Sequence, residues 1–214
     1  MSSKYEAHGL RAQILEYLQP YFPTTLEGWW AKKRSFSART PFSEKGAIIA
    51  LANAAEHAAP HLLPAAFLQL NRYFETHGQW HIGELNGAPV ALHPSLMVAF
   101  WSGRKRLGKL TEAVVYPRML RCMPDDSDVI RQRWYECEPG RAATVRRLQR
   151  VNGCIMNPFE FSKDKPAWDP MWFCAICLEN LEHDYRVGTR QVWQQLPEVF
   201  GLPSWDVLLE QEKD

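Results

Sequence analysis

The spacing of apolar residues along most of the chain predicts helices. From Leu10 onward, apolar side chains recur at every third or fourth position, and Pro20 ends this first pattern. The same spacing runs through an alanine-rich stretch up to Pro60. It then continues through "HLLPAAFLQLNRYF", where Pro64 falls in the first turn and costs little. The first third of the chain is therefore expected to form several short helices that proline separates.

The second half of the chain continues the helical pattern. One helix is expected to begin near Pro94 and to be weakened at Gly103. The stretch around Pro139 predicts either one helix broken there or two helices. A further long helix is expected from about Met171 to about Arg190.

One segment alternates between apolar and polar residues instead. The string "QWHIGELNGAPVALH" has two short arms on either side of Asn86-Gly87, a dipeptide that favours a tight hairpin turn. We therefore predict an all-α, multi-helix globular domain with at most one short β-hairpin, around residues 79–93.

Composition narrows the classes of function. The chain has 214 residues, of which 46% are hydrophobic, and its formal net charge is +1. It can bury a substantial core, and its balanced charge gives no field that would recruit nucleic acid. No apolar run approaches the ~20 residues of a membrane span, and the polar N-terminus has no signal-peptide core. We expect a cytoplasmic or nuclear protein that binds neither nucleic acid nor membranes.

The five cysteines are the candidate chemistry. An odd count in a chain of this length favours reduced thiols, either free or metal-bound. Cys174 and Cys177 form a C-x2-C pair, and on a helix they lie ~60° apart on one face. His183 lies ~180° around that helix from Cys174 and cannot join them. Because Zn²⁺ takes four ligands, two more would come from the remaining cysteines, which are Cys122, Cys137 and Cys154.

A second interpretation of the C-x2-C pair needs no metal. Cys174 and Cys177 share a helical stripe with Leu178, Leu181 and Tyr185, and free cysteine is among the most buried residue types. A single C-x2-C without a second pair is a weak zinc signal, which favours the buried stripe. Under both interpretations we predict inward-facing, unreactive thiols, because burial raises a thiol's pKa and zinc caps a thiolate.

No local pattern in the sequence indicates a catalytic site. The chain has no G-x-S-x-G nucleophile motif and no glycine-rich phosphate loop. His77, His81 and His93 are interpreted as surface or hairpin histidines, and a hairpin would let His81 and His93 face each other across the strands.

The C-terminal string "LPEVFGLPSW" combines apolar residues with a helix stop and a restart. We predict that Phe200, Leu202 and Trp205 fold back onto the helical body. Replacing Trp205 with Ala is expected to cost ~3 kcal/mol or more if the indole is fully buried.

Several strings together resemble a known family. "YFPTTLEGWW", "WHIGEL", "AFWSGRKRL" and the closing "VWQQLPEVFGLPSW" follow one another in this order. They resemble the C-terminal portion of the BTB/POZ-domain proteins that are expanded in mushroom-forming fungi. The likeness runs from about Leu15 to about Leu208. Residues 1–76 resemble the last helices of a BTB domain, and residues 77–214 resemble the family's helical extension with its cysteine cluster, packed as one unit with the first part.

The resemblance implies a protein-interaction role and no catalytic residues. The segment that carries the BTB dimer interface has no match in this chain, so a BTB-type dimer is not expected. Members of the family carry an upstream cysteine near the position of Cys137, which favours this residue as a ligand. The predicted structural zinc site therefore consists of Cys137, Cys174, Cys177 and Cys154, and no other cofactor is expected.

These features predict a non-catalytic interaction module that binds an unidentified protein partner. It would act as an adaptor or substrate-receptor fragment of a BTB-type protein, for instance towards ubiquitin-ligase machinery. The alternative is a small helical enzyme or toxin-like effector with a site built from Cys137, Cys174, Cys177 and a histidine. Geometry separates the two interpretations, because an enzyme needs these groups in an open cleft and a structural zinc site is closed.

Overall fold

The computed structural model describes residues 2–35, 45–77, 81–120, 137–146, 158–159 and 169–211. These residues are mainly helical and include one two-stranded antiparallel hairpin, as the apolar spacing predicts. The elements are α1 (Ser2–Leu18), α2 (Leu26–Ser35), α3 (Lys45–Ala58), α4 (Leu63–His77), β1 (Ile82–Leu85), β2 (Ala88–Ala91), α5 (Pro94–Leu120), α6 (137–146), α7 (Ala175–Gln194), α8 (Leu196–Val199) and α9 (Trp205–Glu210), with short 3-10 turns at Pro60–Leu62 and Pro170–Trp172.

The chain divides into two compact units. Unit 1 comprises Met1–Val98 together with Pro203–Asp214, and unit 2 comprises Ala99–Leu202. The first boundary therefore falls inside α5, away from residue 77, where the family resemblance divides the chain. Within the described part of the chain, no helix is both long and apolar enough to cross a membrane.

In unit 1, prolines set the ends of the central helices. α3 ends at Ala58, Pro60 begins a 3-10 turn, and α4 starts at Leu63 with Pro64 in its first turn, where a missing N–H leaves no bond unmade. α3 packs against α4 and against the hairpin. The side chains from His61 to Asn71 are all buried, so α4 and the turn that leads into it form the centre of the unit 1 core.

The hairpin has the turn that its sequence predicts. Asn86 and Gly87 both have positive φ, 52° and 78°, which is the conformation of a tight two-residue hairpin turn. The strands pair in the register Ile82 with Ala91 through Leu85 with Ala88. α3 crosses the hairpin at Gly46, where an added Cβ would overlap the Glu84 carbonyl oxygen. The facing Gly83 is also constrained, though less severely, since its Cβ would lie 2.7 Å from the Gly46 nitrogen.

α1 is helical as predicted, but its apolar stripe is mostly in solvent. Leu10, Ile14 and Tyr17 are exposed, and Leu18 at the end of the helix is buried. Periodicity determines that a segment forms a helix, whereas burial of its apolar face depends on another element covering that face.

Unit 2 is built on α5, α6 and α7. α5 continues through Gly103 without a break. The Phe200 ring packs where a Cβ at position 103 would lie, so this contact requires glycine there. Residues 137–146, which include Pro139, are helical. The residues before 137 lie outside the described ranges, so the prediction of one broken helix or two helices stays a prediction. Against α7, the Phe159 ring makes an edge-to-face contact with Trp193, with ring centroids 5.1 Å apart.

The C-terminal residues fold back only in part. Phe200 is buried within unit 2, whereas Leu202 and Trp205 are half-buried. In α9 the fully buried residue is Leu208. The large cost predicted for Trp205→Ala was conditional on full burial, and it is therefore not expected.

Candidate metal centre

Three cysteines come together where α6 meets the start of α7. Cys137 lies on α6, Cys174 is the N-cap residue of α7, and Cys177 is in the first turn of that helix. Cys174 has extended backbone angles, φ −71° and ψ 160°. The long helix predicted from about Met171 is present, but its predicted start is wrong, because the 3-10 turn ends at Trp172 and α7 begins only at Ala175. The C-x2-C pair is an N-cap and first-turn pair rather than two positions on one helical face.

The three sulfur atoms are close enough to share one ligand. Every pair of Sγ atoms among Cys137, Cys174 and Cys177 lies within 4.8 Å, and no other such group of three metal-ligating side chains occurs in the described ranges. The backbone N–H of Cys174 donates to the Cys137 Sγ at 3.3 Å. Cys137 and Cys177 are buried, and Cys174 is half-buried. The cluster therefore has one sulfur towards solvent and two in the core.

The buried face of α7 determines where Cys177 points. Cys177, Leu181 and Tyr185 repeat at every fourth position and are all buried, as the predicted stripe requires. Leu178 is half-buried and lies at the edge of this face. The Tyr185 hydroxyl donates to the Pro158 carbonyl oxygen, which satisfies its polar end inside the core.

Arg141 is a functional candidate that the sequence analysis missed. It is 1% exposed, and its guanidinium donates to the carbonyl oxygens of Met119 at 3.0 Å and of Cys177 at 3.3 Å. Its buried Nε has no hydrogen-bond partner among the described residues. The signal was present, because Arg141 follows Cys137 by four positions and so lies on the same helical face.

The two cysteines of the C-x2-C pair differ in acidity. Burial raises the pKa of the Cys177 thiol to about 12, although hydrogen bonding with the Arg141 guanidinium opposes the rise and the Cys174 and Cys137 thiols add to it. Partial burial acts in the same direction on Cys174. There, the favourable influence of the Cys177 and Ile176 backbone N–H groups and of the two neighbouring thiols outweighs burial, and the pKa of Cys174 is lowered. The Cys174 side chain nevertheless makes no cap hydrogen bond by distance and angle.

This difference bears on one prediction about the thiols. Cys177 is inward-facing with a raised pKa, as expected for an inert buried thiol. Cys174 is half-buried, so the prediction that it faces inward holds only in part, and its predicted inertness stays a prediction. Its pKa is lowered rather than raised. The physical reason is its N-cap position, since helix N-termini stabilise a thiolate.

Other candidate residues lie apart from the cluster or outside the described ranges. His183 is exposed and does not join the three thiols, as its helical position predicted. Cys122 and Cys154 fall outside the described residues, so the predicted role of Cys154 as a ligand stays a prediction.

The hairpin histidines do not form a site. His81 pairs through its backbone with Leu92 rather than with His93, because Leu92 N–H donates to the His81 carbonyl oxygen at 2.9 Å. The exposed His93 instead places its Nδ1 3.0 Å from a Glu56 carboxylate oxygen. Ser95 donates to the other oxygen of that carboxylate at 2.6 Å, so Glu56 ties α3 to the start of α5.

Comparison with known proteins found no matching family model, no similar curated protein and no similar solved structure. The likeness to BTB/POZ-domain proteins therefore stays a prediction from the sequence, and the candidate site has to be interpreted from its own chemistry.

That chemistry is the chemistry of soft metal ions. Three thiols within 4.8 Å of one another match the donor type that Zn²⁺ and other thiophilic ions prefer. The adjacent cationic Arg141 would offset part of the negative charge of a metal–thiolate group. The described residues of the cluster can therefore hold a metal ion.

Proposed function

We propose that this chain is a non-catalytic protein-interaction module in which a structural zinc ion ties α6 to α7. The observation that carries the metal site is the convergence of the Cys137, Cys174 and Cys177 sulfur atoms from two helices separated in sequence. Such a site contributes to folding, because the free energy of metal binding is released only when the ligands are brought together.

The proposed zinc site needs a fourth ligand. Structural zinc sites are four-coordinate and closed, and a set of four cysteine thiolates is among the common ones. We propose Cys154 for the fourth position, which continues the prediction from the sequence. Arg141 supports an anionic site. A zinc ion bound to three thiolates carries a net negative charge, and this charge compensates the buried guanidinium.

Exposed apolar residues beside the cluster support the interaction role. Met171 is 90% exposed, and Trp172 and Ile176 are also exposed, so three large apolar side chains surround the half-buried Cys174 in sequence. Large exposed apolar residues that cluster together are typical of protein-binding surfaces. Glu138 and Glu179 are exposed nearby along the two helices, so we propose a partner that presents apolar and basic side chains.

The adaptor or substrate-receptor role is the finer form of this proposal. Its support is the resemblance of the sequence to the helical extension of BTB/POZ-domain proteins, together with the exposed Met171, Trp172 and Ile176. A partner of the ubiquitin-ligase machinery would bind this surface if the family role extends to the chain.

One observation favours the alternative function. The lowered pKa of Cys174 and its partial exposure are properties of a nucleophilic thiol, as a small thiol-dependent enzyme or effector would require. Against it, the exposed His183 is not part of the cluster, and the described residues place no histidine beside Cys174 as a base.

The zinc site is tested on the purified full chain by elemental analysis and by cobalt substitution. We expect one zinc per chain and, after exchange with Co²⁺, the intense sulfur-to-cobalt charge-transfer absorption of a thiolate-rich tetrahedral site. Cys137→Ser, Cys174→Ser and Cys177→Ser should each weaken binding at least about tenfold. Cys154→Ser should do so only if this residue is the fourth ligand. A chain that purifies without zinc and binds no Co²⁺ would rule out the metal site.

The interaction surface is tested with a photo-crosslinking amino acid at position 171. We expect it to capture a partner whose crosslink is lost when Ile176→Glu is added to the same chain. The matched control is a crosslinker at the exposed Val98 in unit 1, combined with the same Ile176→Glu change. A partner that position 98 captures equally well, or that survives Ile176→Glu, would argue against this surface.

A further inference from the structure

We infer that Cys174 and Cys177 form a reactive dithiol that is oxidised to an intramolecular disulfide by exchange with low-molecular-weight disulfides. This assigns an activity to the cluster in its metal-free form. Three features of the structure support it, which are the positions of the two residues on α7, the gradient of exposure across the cluster, and the guanidinium beside the buried sulfur.

The positions of the two residues bring their side chains together. Cys174 is the N-cap of α7 and Cys177 is the third residue of the helix. The N-cap position places a side chain beside the first turn, next to the third helical residue, although the Cys174 side chain makes no cap hydrogen bond. The two sulfur atoms are already within 4.8 Å of each other, so side-chain rotation rather than movement of the helix brings them to bonding distance.

Cys137 is placed differently from this pair. Its sulfur accepts the backbone N–H of Cys174 at 3.3 Å and so lies against the main chain there. It is also buried on another helix. We therefore assign Cys137 no bond in the oxidised state, and its contribution is to hold the N-cap residue in place.

The exposure gradient fixes the order of the two steps. Cys174 is half-buried, whereas Cys177 is buried, so a small disulfide in solvent reaches Cys174 first. The Cys174 thiolate attacks one sulfur of the small disulfide, forms a mixed disulfide with it and releases one small thiolate. Cys177 then loses its proton to the released thiolate and attacks the Cys174 sulfur, which releases the second small thiolate.

These steps balance without a further reactant. Cys174 gives its proton to solvent before it attacks, and the second small thiolate takes a proton from solvent after it is released. In total the two protein thiols lose two electrons and two protons, and the small disulfide becomes two small thiols. Arg141 assists the second step as a positioning residue. Its guanidinium donates to the Cys177 carbonyl oxygen at 3.3 Å and retains a buried Nε–H without a partner among the described residues, so it can stabilise negative charge on the neighbouring sulfur.

The test uses the full chain after metal removal with a chelator, incubated with oxidised glutathione, quenched with acid, alkylated and digested with trypsin. One tryptic peptide, 164–186, contains both Cys174 and Cys177, and another, 134–141, contains Cys137. We expect the first peptide to become about 2 Da lighter and resistant to alkylation, as an internal disulfide requires. The second peptide should remain alkylatable.

Variants separate the two steps. In Cys177→Ser the glutathione adduct on Cys174 should accumulate, because the resolving thiol is gone and Cys137 is held against the main chain by the Cys174 N–H. In Cys174→Ser, modification of Cys177 should be slower than that of Cys174 in the wild type by at least about tenfold. Cys137→Ser should still form the disulfide. A bridge between peptides 134–141 and 164–186, or modification of Cys177 as fast as Cys174, would overturn the inference.

One consequence of this inference rests on the proposed zinc site. In zinc-loaded protein the same oxidation should release the metal, because the disulfide removes two ligands. Release is followed with a metal-binding dye. A chain that forms the disulfide but never binds zinc contradicts only the proposed metal site, and a chain that binds zinc but forms no disulfide after metal removal contradicts only the dithiol.

Discussion

Unit 1 and unit 2 bury different kinds of side chain. The centre of unit 1 is a helix of leucine, alanine and phenylalanine residues packed against an alanine-rich partner, and its buried Gln69 donates to the Tyr21 carbonyl oxygen at 2.8 Å. Unit 2 buries Arg141 and two thiols besides its apolar core. Unit 1 also buries His61 and Asn71, so the difference lies in the guanidinium and thiols of unit 2. Under the proposed zinc site and dithiol, the stability of unit 2 would change with metal and redox conditions and that of unit 1 would not.

Metal removal should produce the largest difference in stability between the two units. If zinc binds the three thiols, we expect chelation to destabilise unit 2 by about 5 kcal/mol without unfolding it, less than the ~10–16 kcal/mol that zinc supplies to zinc-finger peptides. The residual stability comes from the apolar core, which includes Val192 and Phe200. Hydrogen exchange, measured peptide by peptide, should become faster in α7 after chelation and should stay unchanged in α4. Equal acceleration in both helices would contradict the separation.

Phe67→Ala is the converse experiment in unit 1. Phe67 is fully buried on α4, so its truncation should cost about 3–5 kcal/mol. The loss should be the same with and without chelator and should add to the effect of chelation, because Phe67 and the cysteine cluster belong to different units of the chain. The exposed Val98 provides the control, since Val98→Ala should change thermal stability little.

Arg141→Met tests how much unit 2 depends on its buried cation. The change leaves the Met119 and Cys177 carbonyl oxygens without their donor, and each buried unsatisfied group costs about 1–3 kcal/mol. We expect a loss of at least about 2 kcal/mol in denaturant unfolding and weaker Co²⁺ binding. Arg146→Met, on the same helix and exposed, is the matched control and should do neither.

Gly46→Ala sharpens the comparison at the contact between α3 and the hairpin. A methyl group there overlaps the backbone carbonyl of Glu84, which no side-chain rotation relieves, so we expect a loss of about 1–3 kcal/mol. The control is Gly9→Ala on α1, where no neighbouring atom lies within 4 Å. Alanine should stabilise that helical position by about 0.5–1 kcal/mol, so the two substitutions have opposite signs in thermal unfolding.

The smallest effect is expected from pH at Glu56 in unit 1. Hydrogen bonds from Ser95, and then from His93, lower the pKa of this carboxyl. Because the folded protein favours the carboxylate, this stabilisation is fully present above the unfolded pKa of about 4.3 and is lost as pH falls through the lowered folded pKa. The urea midpoint of unfolding should therefore fall less steeply between pH 6 and pH 3 in Glu56→Gln than in the wild type. An equal slope in both proteins would show that the contacts add no stability.

The helix ends and the hairpin turn could be predicted from local sequence rules, whereas the burial of side chains depends on long-range packing. Pro60, Pro64 and Asn86-Gly87 act on their own neighbours, so the helix ends and the hairpin turn could be predicted from the sequence. The exposure of Leu10 on α1 could not, because it depends on which elements pack against that helix.

The cluster divides in the same way. The grouping of Cys174 with Cys177 follows from their spacing, and Cys137 joined them on the strength of a family resemblance. The N-cap conformation of Cys174 was missed, because helical periodicity does not locate the first residue of a helix. The lowered pKa of its thiol follows from that conformation, so it could not be foreseen either.

The facing glycines of α3 and the hairpin have a consequence for how this chain can vary. Neither Gly46 nor Gly83 carries chemistry, yet a methyl group on either one pushes a helix away from a strand. Selection should therefore act on the two positions jointly and independently of whatever the protein binds. Neither position should accept a larger residue, even in a variant whose binding surfaces have been replaced.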